Sequence, residues 1–259
     1  MYESRIWRLG RTLLPQSVRL RLRIPVVKLI VLYRSVVLKS YSANGEDLFI
    51  KSLIGDRQAV WYFDVGAGDP KLHSNTYGFY LRGAEGVAID ANKDLLTKYG
   101  KLRPRDTTIW GAITRNSDLT GFATYWRLDP WELSTTDRRA MERAVKNGAR
   151  ILSEDRFPAV DVNGILGSTF PTDDRVKLLN VDIEGISFEV LNGIDFTRFP
   201  FDYILVERDS AADTFGLAKI GSAPGSFMMV GSLGPTDAYA RVGTEGSDTA
   251  PLNTPRRAS

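Results

Sequence analysis

The sequence predicts an α/β fold: an open, mostly parallel sheet with helices on both faces, closed by a C-terminal antiparallel hairpin. Three observations predict it. Short apolar runs at 60–65, 86–90, 177–182 and 202–207 are separated by segments long enough for crossovers, the pattern of buried parallel strands. The first run enters the glycine turn Asp64-Val65-Gly66-Ala67-Gly68-Asp69, and the second ends in Asp90, as two neighbouring strands of such a sheet do around a nucleoside. Finally, apolar runs at 227–230 and 238–242 flank Gly231 and a Gly234-Pro235 turn, which reads as a hairpin.

The elements follow in order. Residues 1–40 form a basic extension in which nine basic residues face one acid, Glu3, a net +8, whereas the rest of the chain carries 25 basic and 30 acidic residues. Its arginines alternate with Leu13, Leu14, Val18, Leu20, Leu22 and Ile24, and Lys28 and Arg34 interrupt the apolar run beyond. That run is too short and too charged to span a bilayer, and no small-residue cleavage site follows it. Two readings stand: a segment lying on an anionic membrane surface, or extra helices docked by their apolar face. The main domain is expected over 41–242. Leu48, Phe49 and Leu53 predict a helix over 46–54, ahead of the first strand. A third strand is expected over 107–114, with Ala112 near its carboxyl end.

Residues 121–171 exceed what a minimal crossover requires. Phe122, Tyr125, Trp126 and Trp131 lead this segment, and Ser134 with Asp137 predicts a capping box before a helix through Met141 and Val145. The aromatic side chains are either the wall of an acceptor site or core of an elaborated crossover. From 243 onward Gly, Ser, Thr and Pro predominate, which predicts a disordered tail.

Composition narrows the chemistry. With 259 residues and 43% hydrophobic content, the chain can bury one substantial core. It has no cysteine, so disulfides, thiolate nucleophiles and cysteine metal sites are excluded, which fits a cytoplasmic setting. Its single histidine, His73, excludes His-rich zinc clusters, so any divalent metal, whose requirement stays open, would be held by oxygen ligands. The domain has no basic face of the kind that binds nucleic acid. Oligomeric state is not legible.

The glycine turn discriminates between adenosyl cofactors. A dinucleotide fingerprint needs a third glycine, and Lys71 stands there. Asp64 and Asp69 flank the turn and would repel a pyrophosphate, but they suit the ammonium of an amino acid. S-adenosylmethionine carries adenosine and an amino acid without phosphates. Asp90 would hold its ribose, Ala91 and Asn92 the adenine side, and Gly66, Ala67 and Gly68 the methionine portion, with Ala112 at the same crevice.

Tyr41-Ser42-Ala43-Asn44-Gly45-Glu46-Asp47, Asp64-Val65-Gly66-Ala67-Gly68-Asp69-Pro70, Ser74-Asn75-Thr76 and Val181-Asp182-Ile183-Glu184-Gly185 resemble the successive motifs of the FkbM-type methyltransferases. The resemblance runs from Tyr41 to about Val242. It implies a class I methyltransferase fold, which is Rossmann-like, with S-adenosylmethionine as methyl donor and an oxygen on a sugar or polyketide as the usual acceptor. It also implies that Glu46 and Asp47 close over the cofactor; their plainer role is favourable charge in a helix's first turn. Where the family often continues Glu-Gly-His-Glu, this chain has Glu184-Gly185-Ile186-Ser187.

Transfer from a sulfonium to oxygen is an in-line displacement, so the protein must align the acceptor and remove its proton. Asp182, Glu184 and His73 are the candidate catalytic groups, and Asp182 is also expected at the donor. Ser74, Asn75 and Thr76 are equally suited to cap a helix containing Tyr77 and Tyr80. The reading is an O-methyltransferase for a hydroxyl of a sugar, glycolipid or cell-envelope saccharide, cytoplasmic and peripheral to the membrane if the extension binds it. The rivals are a nicotinamide-dependent oxidoreductase and a non-catalytic binding protein of the same fold.

Overall fold

The computed structural model describes residues 39–55, 59–114, 121–208 and 226–243. The chain divides into two units, Met1–Tyr41 and Ser42–Ser259, and the fold below is that of the second. The predicted amphipathic extension, except its last residues, and the predicted tail beyond 243 lie outside the described residues. Among the described residues no helix is long and apolar enough to cross a membrane.

Helix α1 (Glu46–Ile54) precedes β1 (Val60–Val65), a strand buried at every position, as expected at the centre of a covered sheet. The short helix α2 (Tyr77–Tyr80) leads to β2 (Glu85–Asp90), and α3 (Lys93–Leu102) leads to β3 (Thr107–Trp110). After the elaborated crossover come β7 (Val176–Val181), helix α6 (Ser187–Asn192) and β8 (Tyr203–Glu207), then the hairpin β9 (Phe227–Leu233) and β10 (Thr236–Arg241). The sheet order is β3-β2-β1-β7-β8-β10-β9; β10 is antiparallel to both its neighbours and the other six strands run in one direction. The order reverses between β1 and β7, where a crevice forms at the strands' carboxyl ends.

The third predicted strand is a correction. It breaks at Gly111 after β3, and β4 (Ala112–Ile113) leaves the main sheet for a second one, in the order β4-β6-β5. Strands β5 (Phe122–Asp129) and β6 (Arg150–Val160) form an antiparallel pair, joined through a 3₁₀ turn (Trp131–Leu133) and helix α4 (Arg138–Lys146). The capping box is also corrected: Asp137 caps α4, accepting from the Ala140 N–H at 2.7 Å, while the Ser134 hydroxyl accepts from the Leu128 N–H. Trp126, Leu128 and Met141 make a small core of their own, so this segment is a folded subdomain and not a bare loop.

Period-two alternation assigns the faces. Trp61, Phe63 and Val65, with Leu179, Val181, Ile204 and Val206, pack against α6 and α5 (Val162–Thr169). Val60, Tyr62, Leu178, Tyr203 and Leu205 face the other way, onto Ile50 and Ile54 of α1 and onto Phe79 and Tyr80. Asp64, Asn180, Asp182 and Glu207 continue the alternation on this second face, near the crevice.

Candidate active site

The crevice encloses about 220 Å³ at the ends of β1, β2, β7 and β8. At its floor the turn after β1 is tightly built. Gly66 has φ +79°, and a Cβ there would collide with the Asp182 carbonyl oxygen, so the close approach of the β1 and β7 ends requires glycine. The N–H groups of Gly66 and Ala67 both donate to the Ile89 carbonyl at 3.0 Å, tying the turn to β2.

Asp90 at the end of β2 accepts from the Gly68 N–H at 2.8 Å and the Asn92 N–H at 2.6 Å. These bonds fix the carboxylate at the crevice and leave lone pairs for a ligand's hydroxyls. Burial pushes its pKa up to about 6; the two N–H groups pull against this, and the charge of Asp64 adds to it. Ala91 and Asn92 continue along the wall, and Asn92 caps α3 by accepting from the Asp94 N–H.

Asp69 lines the crevice, but its carboxylate is already engaged. It accepts from the N–H groups of Lys71 and Leu72 and pairs with Lys98 at 2.8 Å, bonds that hold its pKa low against its partial burial. Asp64, expected at the ligand, does not line the crevice. It is 1% exposed, accepts from the Thr76 hydroxyl at 2.6 Å and the Asn180 amide at 2.9 Å, and lies on the face that α1 and α2 cover. Ala112 is fully buried and its neighbour Ile113 reaches the crevice instead, because the break at Gly111 turns the chain into the second sheet.

Behind Asp64 lies an arginine that no sequence motif singles out. The Arg103 side chain is 0% exposed, ion-paired to Asp106 at 2.6 Å and surrounded by the rings of Tyr62, Tyr80 and Tyr99. It donates to Ser74, Thr76 and the Pro70 carbonyl, so it anchors the loop that leaves the glycine turn. Ser74 accepts from the Tyr77 N–H at the start of α2; Asn75 and Thr76 face inward, Asn75 donating to Asn180.

At the other edge, Asp182, Glu184 and Glu207 all line the crevice. Asp182 and Glu207 end adjacent parallel strands and are hydrogen-bonded to each other. Burial, then the bond to and charge of Glu207, then the charges of Glu184 and Asp64, hold the Asp182 carboxyl well above the usual carboxylate range. Glu46 is buried at the rim, its carboxylate accepting from the Asn44 backbone and side chain and from the Thr236 hydroxyl. Asp47 instead accepts from Ser42 at 2.8 Å and is outside the lining. His73 is exposed at the mouth with φ +57°.

A model of the methyltransferase FkbM domain matches residues 64–228. The chain belongs to this family. No curated protein and no solved structure matches it. The family match spans the glycine turn, Asp90 and the end of β7, the parts that build the crevice.

In this FkbM domain the second sheet supplies one wall, with Tyr125, Trp131, Ser134, Thr135 and Thr136 facing the crevice. The Thr135 hydroxyl donates to the Glu184 carbonyl at 2.5 Å, which fastens the wall to the β7 loop, and Thr136 donates to the Ile113 carbonyl of β4 at 2.8 Å. Gly185, at φ +93°, admits Asp137 and Ala140 where a Cβ would clash. Of the leading aromatic residues, Tyr125 and Trp131 reach the crevice, Trp126 is core and Phe122 is exposed. Glu207 was legible in principle as a second carboxylate ending a parallel strand, as Asp182 ends its neighbour; Thr135 and Thr136 carried no such signal. Among the described residues no group of His, Asp and Glu is arranged to hold a metal ion.

Proposed function

We propose that this domain transfers a methyl group from S-adenosylmethionine to a hydroxyl oxygen of a glycosyl group, on a free saccharide or a glycolipid. The observation that carries the donor assignment is Asp90: a carboxylate at the crevice fixed by two backbone N–H groups, with lone pairs left to accept from the hydroxyls of a ribose diol. The glycine turn beside it offers room for an amino-acid portion, and among the described residues no Lys or Arg lines the crevice to receive a pyrophosphate. That lining favours a cationic nucleoside over a dinucleotide. When bound, the donor supplies an electrophilic methyl on a sulfonium.

The protein's own groups then have three tasks. Asp90 and the turn orient the donor; Tyr125 and Trp131 present flat apolar faces of the kind that stack on sugar rings; and the carboxylates of Asp182, Glu184 and Glu207 offer oxygens to an acceptor hydroxyl. The +8 segment before the domain supports an acceptor presented at an anionic membrane surface.

Calorimetric titration of the purified protein with S-adenosylmethionine tests the donor. Loss of two charge-assisted hydrogen bonds in Asp90→Ala should weaken binding about 100-fold. Absence of binding by the wild type, or tighter binding of reduced nicotinamide dinucleotide, would overturn the reading.

A further inference from the structure

We propose that the Asp182 and Glu207 carboxyls share one proton in the ligand-free protein, release it when the sulfonium donor binds, and then accept the proton of the substrate hydroxyl. The inference rests on the donor assignment above. Its structural basis is the juxtaposition of two carboxyls in a crevice that, among the described residues, no Lys or Arg lines. The last register pair between β7 and β8 is Val181 with Val206, so the next residues, Asp182 and Glu207, stand side by side and hydrogen-bond. Two carboxylates in that contact do not both stay ionised without a nearby positive charge.

Among the described residues, the groups around the pair other than His73 are acidic or already engaged. Glu184 follows on the β7 loop, and Asp64 on β1 is bonded to Thr76 and Asn180. Thr236, opposite Glu207 on β10, donates to Glu46 of α1. Arg208, next in the chain, is bound to Asp237, Ser232 and the Gly234 carbonyl. His73 and Asp90 line the same crevice from the loop after β1 and from β2. Burial and these charges raise the Asp182 pKa, in the same sense as the geometry.

The pair is also well placed to sense the donor. From Asp90 on β2 to Glu207 on β8 the sheet advances three inter-strand steps, roughly 14 Å, with the glycine turn between them. That is the span the amino-acid portion of the donor would occupy. A positive centre there stabilises the doubly ionised pair, and the proton leaves to solvent before any acceptor reacts.

The chemical step then balances. The acceptor O–H bond breaks and its proton goes to the pair. A C–O bond forms as the S–C bond breaks, and the S–C electron pair remains on sulfur as the neutral thioether. The crevice thus exchanges a cation and a doubly ionised pair for a neutral product and a singly ionised pair, with no net change of charge. The pair returns to its resting protonation as the product forms.

The test needs no acceptor. Titration calorimetry of the full chain at pH 7, in buffers of different ionisation enthalpy, reads protons released on binding. S-adenosylmethionine should release a large fraction of one proton, and S-adenosylhomocysteine, which lacks the sulfonium charge, much less. Any proton lost from Asp90 on ribose binding appears with both ligands and cancels in the difference. Glu207→Gln should bind the donor with the release abolished, its retained binding showing that it folds; Asp182→Asn is the second variant. Donor binding without proton release, equal release by both ligands, or unchanged release by both variants would overturn this proposal and leave the donor assignment standing. Failure of the wild type to bind the donor would overturn both.

Discussion

Two buried acidic groups on the same face of one sheet are treated in opposite ways. At Asp64 burial raises the pKa, and every other contribution, from Arg103, Thr76 and Asn180, lowers it. At Asp182, one strand away, burial raises it and so does every other principal contribution, from Glu207, Glu184 and Asp64. The first site is internally satisfied: a caged cation, two carboxylates and a hydroxyl network that stiffen the loop after β1. The second has no compensating Lys or Arg among the described residues that line it. A protein keeps such an arrangement at a cost in stability, which supports the proposed role of Asp182 in the chemistry and a scaffold role for Arg103.

The largest effect that would break this comparison is at the scaffold. Arg103→Met leaves Asp106 buried without its cation and should cost about 3–5 kcal/mol in urea unfolding; a loss under about 1 kcal/mol would mean that the cage is not structural. Removing the hydroxyl that joins Arg103 to Asp64, in Thr76→Val, should cost about 1–3 kcal/mol, since a buried acceptor loses its donor.

Asp182→Asn should move stability the other way, a gain of about 0.5–2 kcal/mol at pH 7 in the ligand-free protein. The pH dependence follows from the same shift. Because the folded protein holds the Asp182 proton more tightly than the unfolded chain, wild-type stability from this group rises as pH falls from the raised folded pKa toward the ordinary carboxylate range near 3.8. Thermal unfolding of wild type and Asp182→Asn should therefore converge on acidification, and a constant difference across pH would remove the distinction between the two regions.

Much of the fold was legible because its determinants are local. The apolar runs named five main-sheet strands to within a residue or two, except that the third overran Gly111, and Gly234-Pro235 marked the hairpin. The glycine turn and Asp90 were readable as neighbours at one crevice because strand ends and glycine turns carry their geometry in a few adjacent residues. The second sheet was not, since β4 and β6 pair across more than forty residues, and nothing in Ala112-Ile113 announces Ala159-Val160 as its partner.

By itself the sequence determined the parallel sheet, its switch-point crevice, and the carboxylates at the ends of β2 and β7, because burial periodicity and glycine sterics act over a few residues. Only the tertiary structure decided which acids are neutralised. Asp64 and Asp182 are alike as sequence, each an acid at the end of an apolar run, and they diverge because Arg103 reaches one from the end of α3 while Glu207 meets the other from the next strand. Electrostatic compensation depends on which charges arrive from distant segments, and that is a property of the packed chain.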